Sequence, residues 1–270
     1  MGEKDATFAG SIPDIYDSYL VPLLFEAYAS DLARRAAAAE PLRVLETAAG
    51  TGVVARALAP LLRSDAHYVV SDLNQPMLDR AASRQGPDRR IAWWQADAMN
   101  LPCEDESFDA VVCQFGAMFF PDKVAGYRET RRVLKRGGRF LFNVWDRIEE
   151  NEFAEVVTET VAKVFPSNPP RFLARIPHGY HDREQIEREL REAGFPQVEI
   201  VTLEETSKAP NARHAAIAYC QGTPLRAEIE ARDAARLEEA TERAAEAIAQ
   251  ALGKGPVSGK IQAHVVVARA

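Results

Sequence analysis

Cysteine is scarce in this chain: Cys103, Cys113 and Cys220 are the only three among 270 residues, and no two form a CxxC pair. That spacing excludes a disulfide framework and a cysteine-based zinc site, and reads as reduced thiols of a cytoplasmic protein. No apolar run approaches the roughly 20 residues that cross a bilayer, and the charged segment 1–8 precedes no long apolar stretch. A membrane span is not expected. Positive charge is also in deficit, with 33 Lys+Arg against 40 Asp+Glu and a formal net charge of −7. A broad basic face for a phosphate backbone is missing, so nucleic acid is no default partner. Internal repeats and low-complexity linkers are absent too, although residues 227–252 form a distinct Ala/Glu/Arg-rich segment.

What remains is an ordinary globular composition, 47 % hydrophobic and 27 % charged, in a chain long enough for one large α/β domain or one domain with a subdomain. Periodicity predicts amphipathic helices over 15–38, with Pro22 at a start or kink, then a buried strand at 42–46 and a helix at 53–62. Strands follow at 68–71, 91–95, 110–114 and 139–144, with helices at 76–84 and 123–134 between them. Gly137 and Gly138 fit a helix C-terminus followed by a turn. Helices at 151–164 and 182–193, a strand at 198–203, Ala-rich helices and a last strand at 261–269 complete the order. Alternating strands and helices imply a doubly wound sheet of seven strands whose ligands sit beyond the strand C-termini.

The first strand ends in Glu46 and passes into Thr47-Ala48-Ala49-Gly50-Thr51-Gly52, a turn stripped of side-chain bulk where a ligand can approach. A carboxylate there repels a pyrophosphate but accepts from a ribose or pairs with a cation, which suits an adenosyl sulfonium. Residues 50–55 also read as G-x-G-x-x-A, so the turn alone is equally compatible with a nicotinamide or flavin dinucleotide. Asp72 ends the second strand 22 residues after Gly50, a spacing at which an acid reaches a nucleoside ribose. Asp97 follows the third strand, where it can accept from an exocyclic amine or simply cap its loop. Gln114, Phe115, Met118, Phe119 and Phe120 gather at the end of the fourth strand, as pocket lining or as core.

The series 44–52, 71–78 and 96–102, with Ser107-Phe108-Asp109 and 131–139 after it, resembles class I S-adenosylmethionine-dependent methyltransferases of the ubiquinone/menaquinone-methyltransferase-like type. The resemblance is good over 16–144, weaker over 182–203 and absent between. It implies a Rossmann-like methyltransferase fold, mostly parallel with the last strand antiparallel and a helical cap. It further implies that Thr47, Ala49 and Gly50 line the methionine portion of S-adenosyl-L-methionine, that Glu46 also belongs to the cofactor site and that Asp72 holds the ribose. Leu73 and Met77 would flank adenine, Asp97 and Ala98 would read its amino edge, and Gln114 and Phe115 would close the site. Tyr16 and Tyr19 stand where such proteins carry a lid. Ala48 replaces the first glycine of the pattern, which a Cβ tolerates if φ is negative.

Domain limits follow as a helical lid at 1–40, a cofactor-binding half at 41–148, an insert at 149–181 and a C-terminal part at 182–270 with a substrate-side helical stretch at 211–252. Methyl transfer needs a base only where the acceptor must lose a proton, and His178 and His181 are the candidates, with Tyr180 and His214 beside them. Phe153, Phe165, Phe172 and Ile176 suggest an apolar lining for a small organic acceptor, aromatic or prenylated. The helix over 226–248 reads as a solvated face or the arm of a homodimer. A nicotinamide-dependent oxidoreductase and a non-catalytic S-adenosylmethionine-binding protein are the alternatives; no metal is expected.

Overall fold

The computed structural model describes residues 12–270, so the charged segment 1–8 lies outside it. Seven strands, β1 (Arg43–Glu46), β2 (His67–Asp72), β3 (Ile91–Gln95), β4 (Phe108–Gln114), β5 (Leu134–Trp145), β6 (Gln197–Ala209) and β7 (Val257–Arg269), form one sheet. Their order is β3-β2-β1-β4-β5-β7-β6. The pairs β1/β2, β1/β4, β2/β3 and β4/β5 are parallel. Strand β7 returns antiparallel to β5: the Gly137 N–H donates to Ala270 O and the Ala270 N–H to Gly138 O, both at 2.9 Å. The doubly wound sheet with an antiparallel last strand is therefore present as the sequence predicts.

Helices connect the strands: α1 (Ile12–Ile15), α2 (Glu26–Ala37), α3 (Val53–Leu58), α4 (Gln75–Gln85), α5 (Lys123–Val133), α6 (Glu152–Val164), α7 (Phe172–Arg175), α8 (Arg183–Glu192), α9 (Ala212–Gln221), α10 (Leu225–Asp233) and α11 (Leu237–Leu252). Side-chain caps start three of them, from Asp122 Oδ1 to the Ala125 N–H, Asp182 Oδ1 to the Glu184 N–H and Asn211 Oδ1 to the His214 N–H. None of the described helices is long and apolar enough to cross a membrane.

The contacts divide the chain into two compact units. One holds residues 12–25, Trp145–Tyr180 and Glu204–Gln262; the other holds Glu26–Val144, His181–Leu203 and Ala263–Ala270. The second contains β1 to β4 and nearly all of β5, with Val44, Tyr68, Val70, Ala110, Val112 and Leu141 packed against Leu32, Ala33, Val54 and Leu58 from α2 and α3. In the first, α11 packs along α6 and α9 through the buried faces of Val157, Val161, Ala215, Ala244 and Ile248.

Three local departures have physical causes. The segment 15–38 is not plain α-helix: Tyr16–Phe25 is π-helical, and Pro22 lies within it. The helix expected over 53–62 tightens at Leu58 into a 3-10 turn, Ala59–Leu61, where Pro60 cannot supply the next helical N–H. Gly137 and Gly138 do not close a helix. Leu134 already pairs with Phe108 in the sheet, and Gly137, at φ 77, kinks β5 within a register shift.

Candidate functional site

The turn after β1 is built from alternating left-handed residues: Ala48 at φ 52, Gly50 at φ 56 and Gly52 at φ 76. The negative φ that would have accommodated the Ala48 Cβ without strain is not adopted, and its methyl is held at a cost of roughly 1–2 kcal/mol. Gly52 has no room for a side chain, because a Cβ there would meet Ala81 Cβ of α4 at 2.9 Å. Neighbouring strands pin the turn. The Thr47 N–H donates to Val112 O at 2.9 Å, and the Ala49 N–H to Ser71 O at 3.0 Å. Inside it, Thr51 is 1 % exposed and its hydroxyl has no hydrogen-bond partner. Sequence reasoning passed over Thr51; its signal was a hydroxyl locked between two glycines.

Glu46 is buried at the end of β1 and accepts a hydrogen bond from the Tyr68 hydroxyl. Burial pushes its carboxyl from 4.5 up to about 8, against the pull of Tyr68 and Arg56. Asp72, at the end of β2, is also buried, and its two oxygens tie two turns together. Oδ2 accepts from the Gly50 N–H at 2.8 Å, and Oδ1 from the Asn74 N–H at 2.7 Å and Nδ2 at 3.3 Å. Burial raises its pKa while those donors lower it. Beside it, Leu73 is exposed, its carbonyl accepting from Gln95 Nε2 at 3.0 Å, and Met77, in the first turn of α4, is buried.

Asp97 lies beyond β3, exposed, and Ala98 beside it is half-buried. Its Oδ1 accepts from the Met99 N–H at 2.9 Å, so it caps its own loop. Arg132 of α5, which sequence reasoning also missed, holds the rest of that loop. Its Nη1 donates to Cys103 O at 2.7 Å and Asp105 Oδ1 at 2.6 Å, and its Nη2 to Leu101 O at 3.1 Å and Glu129 Oε1 at 2.7 Å. Asp109 works at the opposite end of the strands, where Oδ2 takes the Leu42 and Arg43 N–H groups and Oδ1 the Lys135 ammonium.

Beyond β4, Phe115 is left-handed at φ 50, with its N–H shared between Asn143 Oδ1 at 2.9 Å and Asn143 O at 3.2 Å. Tyr28 of α2 meets its ring edge-on at 5.4 Å. Gln114, half-buried, pairs with Asn143 across β4 and β5. Cys113 is buried beside Thr47, and burial pushes its thiol up to about 11, so it packs as an apolar group. Glu46, Thr47, Ala49, Gly50, Asp72, Leu73, Met77, Asp97, Ala98, Gln114 and Phe115 thus all belong to one unit, at or just beyond the C-terminal ends of β1 to β4.

The remaining candidates divide. Tyr16 and Tyr19 belong to the other unit, where Tyr16 stacks on Phe25 at 5.2 Å and Tyr19 meets His214 at 4.5 Å. His178 is in that unit too, buried 6.0 Å from the Trp145 ring. Its Nδ1 lies 2.8 Å from Asp146 O. A carbonyl only accepts, so Nδ1 carries the proton and Nε2 is the basic nitrogen. His181, half-buried, falls in the unit that holds β1 to β4, so the structure does not gather the two histidines into one unit. No cluster of metal-ligating side chains occurs among the described residues.

A sequence model of the ubiE/COQ5 methyltransferase family matches residues 24–216. A demethylmenaquinone methyltransferase of Clavibacter sepedonicus is 35 % identical over 190 residues, covering 64 % of this chain and 76 % of that one. Another, from Corynebacterium urealyticum, is 36 % identical over 165 residues, covering 58 % and 68 %. Among solved structures, a protein of Bacillus halodurans C-125 superposes with a TM-score of 0.60 at 21 % identity, covering 90 % of this chain and 98 % of its own. The [4+2]-cyclase SpnF does so with a TM-score of 0.54 at 20 % identity, covering 90 % and 80 %. At such identity the two structures speak for the fold; the sequence matches speak for more, and they do not favour the dinucleotide reading.

Proposed function

The chain belongs to the ubiE/COQ5 methyltransferase family and is an S-adenosyl-L-methionine-dependent methyltransferase, and from that premise we propose that it methylates a small hydroxylated aromatic acceptor of the quinol type. The observation that carries the cofactor site is the left-handed turn with the unused Thr51 hydroxyl inside it. A zwitterionic nucleoside sulfonium suits that donor set. In this reading Thr51, Thr47, Ala49 and Gly50 receive the methionine portion, with Glu46 behind them. Asp72 takes the ribose hydroxyls on lone pairs that Gly50 and Asn74 leave free. Leu73 and Met77 flank adenine, Asp97 and Ala98 meet its amino edge, and Gln114 and Phe115 close the site.

The cofactor supplies an activated methyl group, so the protein's task is to orient a nucleophile in line and, for a phenolic ring, to take up a proton. His178 fits the second part. Its Nδ1 proton is directed at Asp146 O, so Nε2 is the ring nitrogen that would take up a proton; His181 is the other candidate. The acceptor class is supported by the names of the relatives, demethylmenaquinone methyltransferases. The family match ends at residue 216, before α10 and α11, so those helices are where acceptor preference would depart from the relatives.

Release of S-adenosylhomocysteine with a panel of dihydroxynaphthalenes, catechols, amines and thiols tests the proposal. Turnover on the hydroxylated rings is expected; turnover confined to amines or thiols would overturn the acceptor class and leave the cofactor intact. With an active acceptor, His178→Gln should lower kcat by about 100-fold or more with S-adenosylhomocysteine affinity unchanged. An unchanged kcat removes His178 as the base.

A further inference from the structure

Two neighbouring positions in the cofactor-side unit carry residue types opposite to those their backbones favour. Ala48 is left-handed, a conformation suited to glycine. Gly116 has φ −100 and ψ −38, which any residue adopts. Space accounts for the exchange. A Cβ on Gly116 would stand 2.4 Å from Ala48 Cβ and 2.8 Å from Cys113 Sγ, far inside contact distance. Neither neighbour can swing aside, since Ala48 Cβ is fixed to the backbone and Cys113 is fully buried in β4.

We propose that Ala48 and Gly116 are a positioning pair, in which the methyl of one occupies the space left by the missing methyl of the other. Their fit sets the separation between the turn after β1 and the turn after β4, and so the width of the cofactor site between them. Both sides are anchored. Ala49 and Gly50 are tied to Ser71 and Asp72, and Phe115 is tied by its N–H to Asn143. An added methyl at 116 therefore displaces the β1 turn as a whole. Conversely, a glycine at 48 would relieve the left-handed strain but empty the space that the Ala48 methyl fills beside Gly116, loosening the spacing of the two turns.

The inference rests on the S-adenosyl-L-methionine reading of this turn, and calorimetry with S-adenosylhomocysteine separates the two. Four proteins are compared: wild type, Gly116→Ala, Ala48→Gly and the double variant, each with its melting temperature. Gly116→Ala should bind at least tenfold more weakly, Ala48→Gly about threefold more weakly, and the double variant at least threefold more tightly than Gly116→Ala. A purely structural role would lower melting temperatures and leave the affinities of the folded proteins alike, which would overturn the pair. So would a double variant that binds no better than Gly116→Ala. If Gly116→Ala does not fold, a folded and binding double variant supports the pair, and an unfolded one overturns it by making Cys113 the limiting neighbour. A wild-type protein that fails to bind the ligand would instead overturn the cofactor site itself.

Discussion

Three acids stand at the ends of three adjacent strands, and their surroundings change from the middle of the sheet to its edge. Glu46 ends β1, which is flanked by β2 and β4, and is 1 % exposed; Asp72 ends β2 and is 6 % exposed; Asp97 follows the edge strand β3 and is open to solvent. The same chemistry at the same station therefore does three jobs. In the centre, burial makes the carboxyl keep its proton and donate or accept within the core. One strand out, it is a clamp for backbone N–H groups. At the edge it caps a loop and is open to solvent.

The central acid offers the largest test of this gradient. Glu46 holds its proton to about 8 in the folded chain, against 4.5 for the ordinary carboxyl. The folded state thus binds more protons than the unfolded one between those values, and stability must fall as pH rises through that window. One such proton gives a slope of at most about 1.4 kcal/mol per pH unit. Denaturant unfolding of the free protein across the window should show this decline, and Glu46→Gln should flatten most of it, Asp72 contributing a remainder of the same sign. Equal slopes in both proteins would remove Glu46 from the centre of the gradient.

The clamp comes next. Asp72→Ala strands the Gly50 and Asn74 N–H groups, so a loss of about 1–3 kcal/mol in stability is expected, together with roughly tenfold or greater weakening of S-adenosylhomocysteine binding. Wild-type affinity in a folded Asp72→Ala protein would show that the ribose is held elsewhere. The edge acid should matter least: Asp97→Ala is exposed and loses one loop bond, so about 0.5–1.5 kcal/mol of affinity is at stake and little stability. An Asp97→Ala defect as large as that of Asp72→Ala would break the gradient.

The strands β1, β2 and β4 were legible in the sequence because buried parallel strands read as apolar runs closed by Gly, Asn and Asp, and the half-buried edge strand β3 through its run Ile91-Ala92-Trp93-Trp94. The cofactor fold was legible for a further reason: its turn, Asp72 and the Asp97 loop recur in a fixed order. What escaped depends on approach between distant segments. Nothing local marks Ala48 as left-handed; its conformation is imposed by Ser71, Asp72 and the space at Gly116. Leu134 has helix-forming neighbours, yet its pairing with Phe108 draws it into β5. The burial of His178 and its bond to Asp146 O join residues 32 apart, which no spacing rule reaches.

The loop from Asp97 to Asp105 has almost no regular structure, only a bridge between Asp97 and Asn100. Its order is borrowed from Arg132, a side chain on α5 that collects two of its carbonyls and one of its carboxylates. Fixing each backbone residue costs on the order of 1–2 kcal/mol of conformational entropy, and here one guanidinium offsets much of that for a whole segment. In the proposed reading, where this loop meets the adenine edge, that recognition is delegated: a lesion at position 132 would register as a deficit in cofactor affinity, although the bonds of Arg132 are to the loop itself.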